Sequence, residues 1–160
     1  MELKAQEVLD DAWDAIHHLE AASPGWKSHW QSAVSRLRTV CDVLKDEDMP
    51  TLSDIAKDVL SKRFKTHWQP ENGDETWFTA FIKPTRDDIQ HRYSRTPTHA
   101  VKVYNDGETV VVSMILEWEE DDGEEYQDDA IYLLNEAASW VQSELDAIAE
   151  EIEERETEDD

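Results

Sequence analysis

Six histidines and one cysteine are the residues best suited to metal or nucleophilic chemistry, and their spacing argues against both. His17 and His18 are adjacent. On a helix they project about 100° apart and cannot chelate one ion together. His29 and His67 each precede a tryptophan, and His91 and His99 flank an arginine-bearing segment. None shows H-x-x-x-H or H-E-x-x-H spacing, and Cys41, the sole cysteine, has no partner for a zinc set or a disulfide. The histidines therefore read as core or solvated side chains, and a metal site would have to be gathered from distant positions. Cys41 shares an apolar stripe with Val34, Leu37 and Leu44, where a small buried hydrophobe is expected.

Other chemistries fare no better. The four glycines are scattered, so no phosphate-cradling loop exists, and no G-x-S-x-G elbow presents a serine. Paired carboxylates carry no information in a chain with 39 acids among 160 residues. The acidic stretch around Gly123 suggests calcium, which takes carboxylate oxygens. With Gly123 as the sixth loop position, however, Trp118 falls on the first, and the register fails. No catalytic, cofactor or metal residue is assigned. The expectation is a non-enzymatic protein, with a metal-assisted enzyme as the weakest alternative.

What remains is charge. The formal net charge is −24, and its distribution is uneven. Residues 1–100 hold 17 acids against 13 Lys and Arg, whereas residues 101–160 hold 22 against two, Lys102 and Arg155. Two clusters stand out. Glu117, Glu119, Glu120, Asp121, Asp122, Glu124, Glu125, Asp128 and Asp129 form the first. Glu144, Glu150, Glu151 and Glu154 lead the second, in which ten acids fall within residues 144–160. If helical, that second stretch carries one charge per roughly 2.6 Å. A duplex carries one per about 1.7 Å and a single strand one per about 3.4 Å.

Such a field opposes nucleic acid and anionic membranes and favours a basic protein. The reading is an acidic protein-interaction module, an inhibitor or nucleic-acid-mimic-like binder of a basic partner such as a nucleic-acid-binding protein, nuclease or toxin. A homo-oligomeric structural or chaperone-like adaptor, a homodimer in the simplest case, is the alternative, using the helical stripes and tryptophans as its interface. Solubility or adaptation to high salt would also explain acidity. The bases Arg36, Arg38, Lys45, Lys57, Lys62, Arg63 and Lys65, with Arg86, Arg92 and Arg95, are expected to face the chain's own acids or a second subunit.

The elements that must position these groups follow from periodicity. Leu9, Ala12, Ile16 and Leu19 mark a helix over 3–21. Ser23 and Pro24 read as the start of a second, which carries Trp30, Val34, Leu37, Cys41 and Leu44 to about Lys45. Thr51 to Asp54, a T-x-x-D box, opens a third with Ile55, Val59 and Leu60. Residues 76–83 look like a strand stopped by Pro84, and a short helix fits near 87–91. Strands are expected over 98–104 and 108–118 around the hairpin turn Asn105-Asp106-Gly107. Ala130, Leu134, Ala137, Val141, Leu145, Ile148 and Ile152 then mark a long helix to about Arg155, followed by a frayed tail over 156–160.

These elements predict a single α+β domain over 1–155. Its amino-terminal three-helix unit covers about 1–66. A small antiparallel sheet of about three strands, with the long helix packed on it, covers about 75–155. Seven tryptophans supply core and interface packing. The acidic amino terminus lacks an apolar signal core, and no run approaches the roughly 18 apolar residues of a spanning helix. A cytoplasmic location is expected.

Overall fold

The computed structural model describes residues 3–20, 25–91, 98–103, 110–119 and 125–158. Helix α1 (Lys4–Glu20) buries Leu9, Ala12, Ile16 and Leu19, the stripe its spacing predicts. Its first N–H groups are met by a residue more than 40 positions away. Asp48 accepts from the backbone N–H of Lys4 and of Ala5, both at 3.0 Å, and is itself only 4% exposed. A buried carboxylate is tolerated there because two amides and the positive end of a helix face it.

Helix α2 (Trp26–Val43) follows Gly25, whose φ of 85° lies in the left-handed region that glycine enters without strain. Ser23 and Pro24, the expected start, lie outside the described residues. Trp30, Val34, Leu37, Cys41 and Leu44 are all buried. The helix runs on through a π-helical turn (Leu44–Asp48) and a 3-10 turn (Met49–Thr51), which carry the chain to Asp48 and Pro50. Helix α3 (Asp54–Arg63) is capped by Ser53, whose Oγ accepts from the N–H of Ala56 at 3.2 Å. The cap thus falls two residues beyond Thr51, whose hydroxyl donates back to the carbonyl of Asp48. A second π-helical turn (Phe64–Trp68) extends α3.

The strand expected over 76–83 is helical. Thr76 and Thr79 exchange hydrogen bonds, each hydroxyl accepting from the other's backbone N–H, at 2.9 and 3.3 Å. This is the reciprocal geometry of a capping box. A π-helical turn (Phe78–Ile82) then leads into α4 (Lys83–His91). Phe78, Phe81, Ile82, Thr85 and Ile89 are buried, at helical intervals that β-rich composition masked. Pro84 did not end a strand; it sits where the π-helical turn gives way to α4, at a change of hydrogen-bond pattern.

Strands β1 (Thr98–Val103), β2 (Val110–Glu119) and β3 (Glu125–Asp129) pair antiparallel in the order β1-β2-β3. Val103 stands opposite Val110, and Glu119 opposite Glu125. The turn residues Asn105, Asp106 and Gly107 lie outside the described residues. Helix α5 (Ala130–Glu158) is about 44 Å long at 1.5 Å per residue, and it stays helical through residues 156–158, where fraying was expected.

The α+β class is overturned by where the core lies. Every buried apolar side chain described, except Leu3 and Leu116, belongs to a helix or helical turn. Among the described residues the core is built from helices and helical turns, with Leu116 of β2 joining it. Nor is α5 chiefly a helix laid on a sheet: it packs mostly along α1 and α3, and less on α2, β2 and β3. The apolar stripe of α5 gave no indication of which kind of surface it would meet, because sheet and helix partners select the same period.

Asp48→Ala leaves two buried amides at the start of α1 without acceptors. Denaturant unfolding of that variant is expected to show a loss of about 2 kcal/mol, with Glu47→Ala within about 0.5 kcal/mol of the parent.

Candidate functional site

Helices α3 and α5 run antiparallel, and their facing edges carry alternating charges. Asp58 accepts from Arg155 at 2.8 Å, and Arg155 donates to Glu151 at 2.9 Å. Arg63 Nε lies 3.4 Å from the other oxygen of Glu151, while Lys62 lies 4.0 Å from the oxygen that Arg155 meets. Arg63 Nη1 then lies 3.6 Å from Glu144, which His67 Nδ1 meets at 2.8 Å. A carboxylate only accepts, so Nδ1 of His67 is the donor. The result is a ladder of opposite charges along the seam, from Asp58 to His67.

Glu144 is the innermost rung. Its side chain is 9% exposed, and its Oε2 accepts no hydrogen bond. Arg63 at 3.6 Å is too far for one and compensates by charge alone. One turn away, Trp140 lies against the fully buried Trp68, with ring centres 5.2 Å apart, and Trp68 packs on Phe78 at 5.5 Å. The ladder therefore runs beside an aromatic wedge. At its far end the hydrogen bond that Arg155 donates to Asp58 holds the guanidinium above its ordinary pKa. An open cleft of about 490 Å³ lies there, lined by Asp54, Ile55, Asp58, Arg155 and Glu158. Its lining holds no nucleophile and no histidine.

The expected partner-binding residues divide sharply. Glu144 and Glu151 are engaged within the protein by Arg63, Arg155, Lys62 and His67. Glu150 and Glu154 are exposed, as are Asp146, Glu153, Glu156 and Glu158. Among the described residues none of these six has a Lys or Arg within 4 Å. Asp146 accepts from the Gln142 amide and Glu156 from the Ser53 hydroxyl, bonds that leave their charges unneutralised. In the first cluster Glu120, Asp121, Asp122 and Glu124 lie outside the described residues. Glu117, Glu119, Glu125 and Asp128 belong to paired strands, with Glu117 opposite Gln127 and Asp128 opposite Leu116. Asp129 ends β3 and accepts from the N–H of Tyr132 at 2.9 Å, capping α5. The structure thus gathers the outer acids of α5 on one element and removes Glu144 and Glu151 from that set.

Sequence reasoning missed Asp48, whose partners are not local. Arg63 was read only as general charge balance and His67 as a core or solvated histidine, although Glu144 sits three residues after Val141 and four before Ile148, on the buried stripe itself. Among the described residues no group of three or more His, Cys, Asp or Glu assembles as a metal set, and no helix is long and apolar enough to cross a membrane. Cys41 is buried beside Arg38 and Asp42, and burial pushes its thiol up to about 12. Comparison with protein-family models, with curated proteins and with solved structures finds no match.

Two outcomes follow from these placements. Arg63→Ala strips the buried Glu144 of its guanidinium and is expected to destabilise the fold by roughly 2–4 kcal/mol in denaturant titration. Glu150→Gln, on the outer side, should fall within about 0.5 kcal/mol of the parent. Cys41, with its thiol pushed to about 12, stays protonated at pH 8, so a thiol reagent should modify it only at the rate at which the fold opens.

Proposed function

We propose that this chain is a non-enzymatic acidic interaction module that binds a basic protein through the outer face of α5. The observation that supports this reading is the division of α5. Its inner acids are neutralised across the seam with α3, while Asp146, Glu150, Glu153, Glu154, Glu156 and Glu158 face solvent without a cation. These six span about 18 Å, or one charge per roughly 3–4 Å. That density lies near the roughly 3.4 Å of a nucleic-acid single strand and is sparser than a duplex. Helix α1 adds exposed Glu7, Asp10 and Asp14. Gln6 of α1 and Gln142 of α5 exchange amide hydrogen bonds at 3.0 and 3.1 Å, tying the two acidic helices together.

A helical surface of fixed carboxylates suits a protein whose own site is arranged for phosphates: a nucleic-acid-binding protein, a nuclease or a basic toxin. The strand-borne acids Glu117, Glu119, Glu125 and Asp128, with Glu120, Asp121, Asp122 and Glu124, would extend the surface. The same field repels nucleic acid and anionic lipid. The cytoplasm, where such basic partners are met, is the compartment proposed.

Capture from a cell extract at low salt supplies the partner, and two measurements on the purified pair then decide. Affinity should fall steeply as salt rises from 50 to about 200 mM. Reversing Glu150, Glu153 and Glu154 to lysine should weaken binding at least tenfold while leaving the unfolding midpoint close to the parent's. Unchanged affinity in the reversed protein, or binding insensitive to salt, overturns the proposal.

A further inference from the structure

The loop between the π-helical turn that ends at Trp68 and the capping box that starts at Thr76 holds a reactive pair, Asn72 followed by Gly73. Residues 71–75 are all exposed. Gly73 donates its N–H to the carbonyl of Pro70 at 3.1 Å, closing a four-residue turn, and its φ of 79° lies in the left-handed region. A Cβ at Gly73 would meet nothing within 4 Å, so the backbone here is open to solvent and free to rearrange.

The Asn72 side chain is engaged by Asp74 at both ends of its amide. Its Oδ1 accepts from the N–H of Asp74 at 3.1 Å, and its Nδ2 donates to the Asp74 carboxylate at 2.7 Å. A donor on Oδ1 polarises the side-chain carbonyl and stabilises negative charge that develops on that oxygen. The nucleophile is already in place: the Gly73 nitrogen is bonded to Asn72 through one carbonyl carbon, so its attack on Cγ is intramolecular. Glycine puts no side chain in the way.

We propose that Asn72 is a site of spontaneous deamidation, which converts it to aspartate and isoaspartate without an enzyme. The Gly73 nitrogen gives its proton to solvent base and attacks Cγ of Asn72. The N–Cγ bond forms, the Cγ–Nδ2 bond breaks, and the side-chain nitrogen takes a proton from water and leaves as ammonia. Water then opens the resulting succinimide. Cleavage at Cγ leaves an aspartate in place of Asn72, whereas cleavage at the backbone carbonyl leaves an isoaspartate, with the chain routed through the former side chain. Each event consumes one water, releases one ammonia and adds one negative charge.

The fold slows this reaction without stopping it. The bond from Gly73 to Pro70 must open, and an exposed hydrogen bond of ordinary strength lowers the open population by about fivefold. The new carboxylate then stands beside Asp74 and between Glu71 and Glu75, so like charges meet where an amide donor stood. Asn135 is the contrast within the same chain. It lies inside α5, precedes Glu136 and donates its amide to the Ile131 carbonyl at 2.9 Å. A helix fixes the following backbone nitrogen in its own hydrogen-bond pattern.

The test incubates the full folded chain at 37 °C, at pH 7.5 and at pH 9, beside a sample held unfolded in guanidinium chloride. Proteolytic peptides are then mapped by mass spectrometry. The peptide carrying Asn72 should gain the mass of an amide-to-acid exchange and separate into two products. Conversion should be faster at pH 9, because the Gly73 nitrogen attacks only after losing its proton. Its rate in the folded chain should lie within about tenfold of the unfolded one. The peptide carrying Asn135 should stay unchanged in the folded chain over the same period. Gly73→Ala should slow conversion of Asn72 at least fivefold, with its unfolding midpoint showing that it is folded. Protection of Asn72 beyond tenfold means that the turn shields the pair and overturns the proposal. So does conversion of Asn135 at the rate of Asn72, which means that only unfolded chain reacts, or an undiminished rate in Gly73→Ala.

Discussion

With 15 lysines and arginines against 39 acids, this chain cannot neutralise its carboxylates, so the placement of its few cations governs how the helices meet. Several of them lie between elements. Arg36 of α2 pairs with Asp11 of α1, Lys4 reaches Glu47, and Arg63 and Arg155 stitch α3 to α5. Arg38 pairs with Asp42 and also lies over the Phe78 ring, 5.3 Å from its centre. Acids that must sit near apolar surface receive a cation or a backbone donor. The surplus is left on outer faces, where water and salt carry the charge. The unpaired side of α5 is thus a by-product of how its inner side is held.

Helix positions were largely legible in the residues. Leu9, Ala12, Ile16 and Leu19 on α1, and Val141, Leu145, Ile148 and Ile152 on α5, are buried as their spacing requires. The misreading came where local preference and tertiary demand disagree. Residues 76–83 are rich in strand formers, yet they are wound into a helical turn in which Phe78 meets Trp68 and Phe81 meets Trp30 and Trp77. The error propagated to the class of fold, because a third strand there would have made a sheet the natural bed for α5.

The candidate site was half legible. Acid clustering on the carboxyl-terminal helix is plain in the sequence, but which side each acid faces is not. Glu144 and Glu150 look alike in composition; one follows Val141 by three residues and is buried, the other lies on the far side and is exposed. Arg155 meets Glu151 from four residues on, but the other bases that claim Glu144 and Glu151 come from the α3 segment some 80 to 90 residues earlier, through contacts that no local pattern encodes. The same holds for Asp48 and the start of α1.

Helix α5 is packed against both α1 and α3. Loosening it would expose the stripe it shares with α1 and the aromatic wedge beside α3 together, so the two parts of the bundle are thermodynamically coupled through one helix. Anything that grips the outer face of folded α5 acts on that coupling. Its binding free energy stabilises the whole molecule, and the whole molecule's stability in turn sets how rigidly that face is presented.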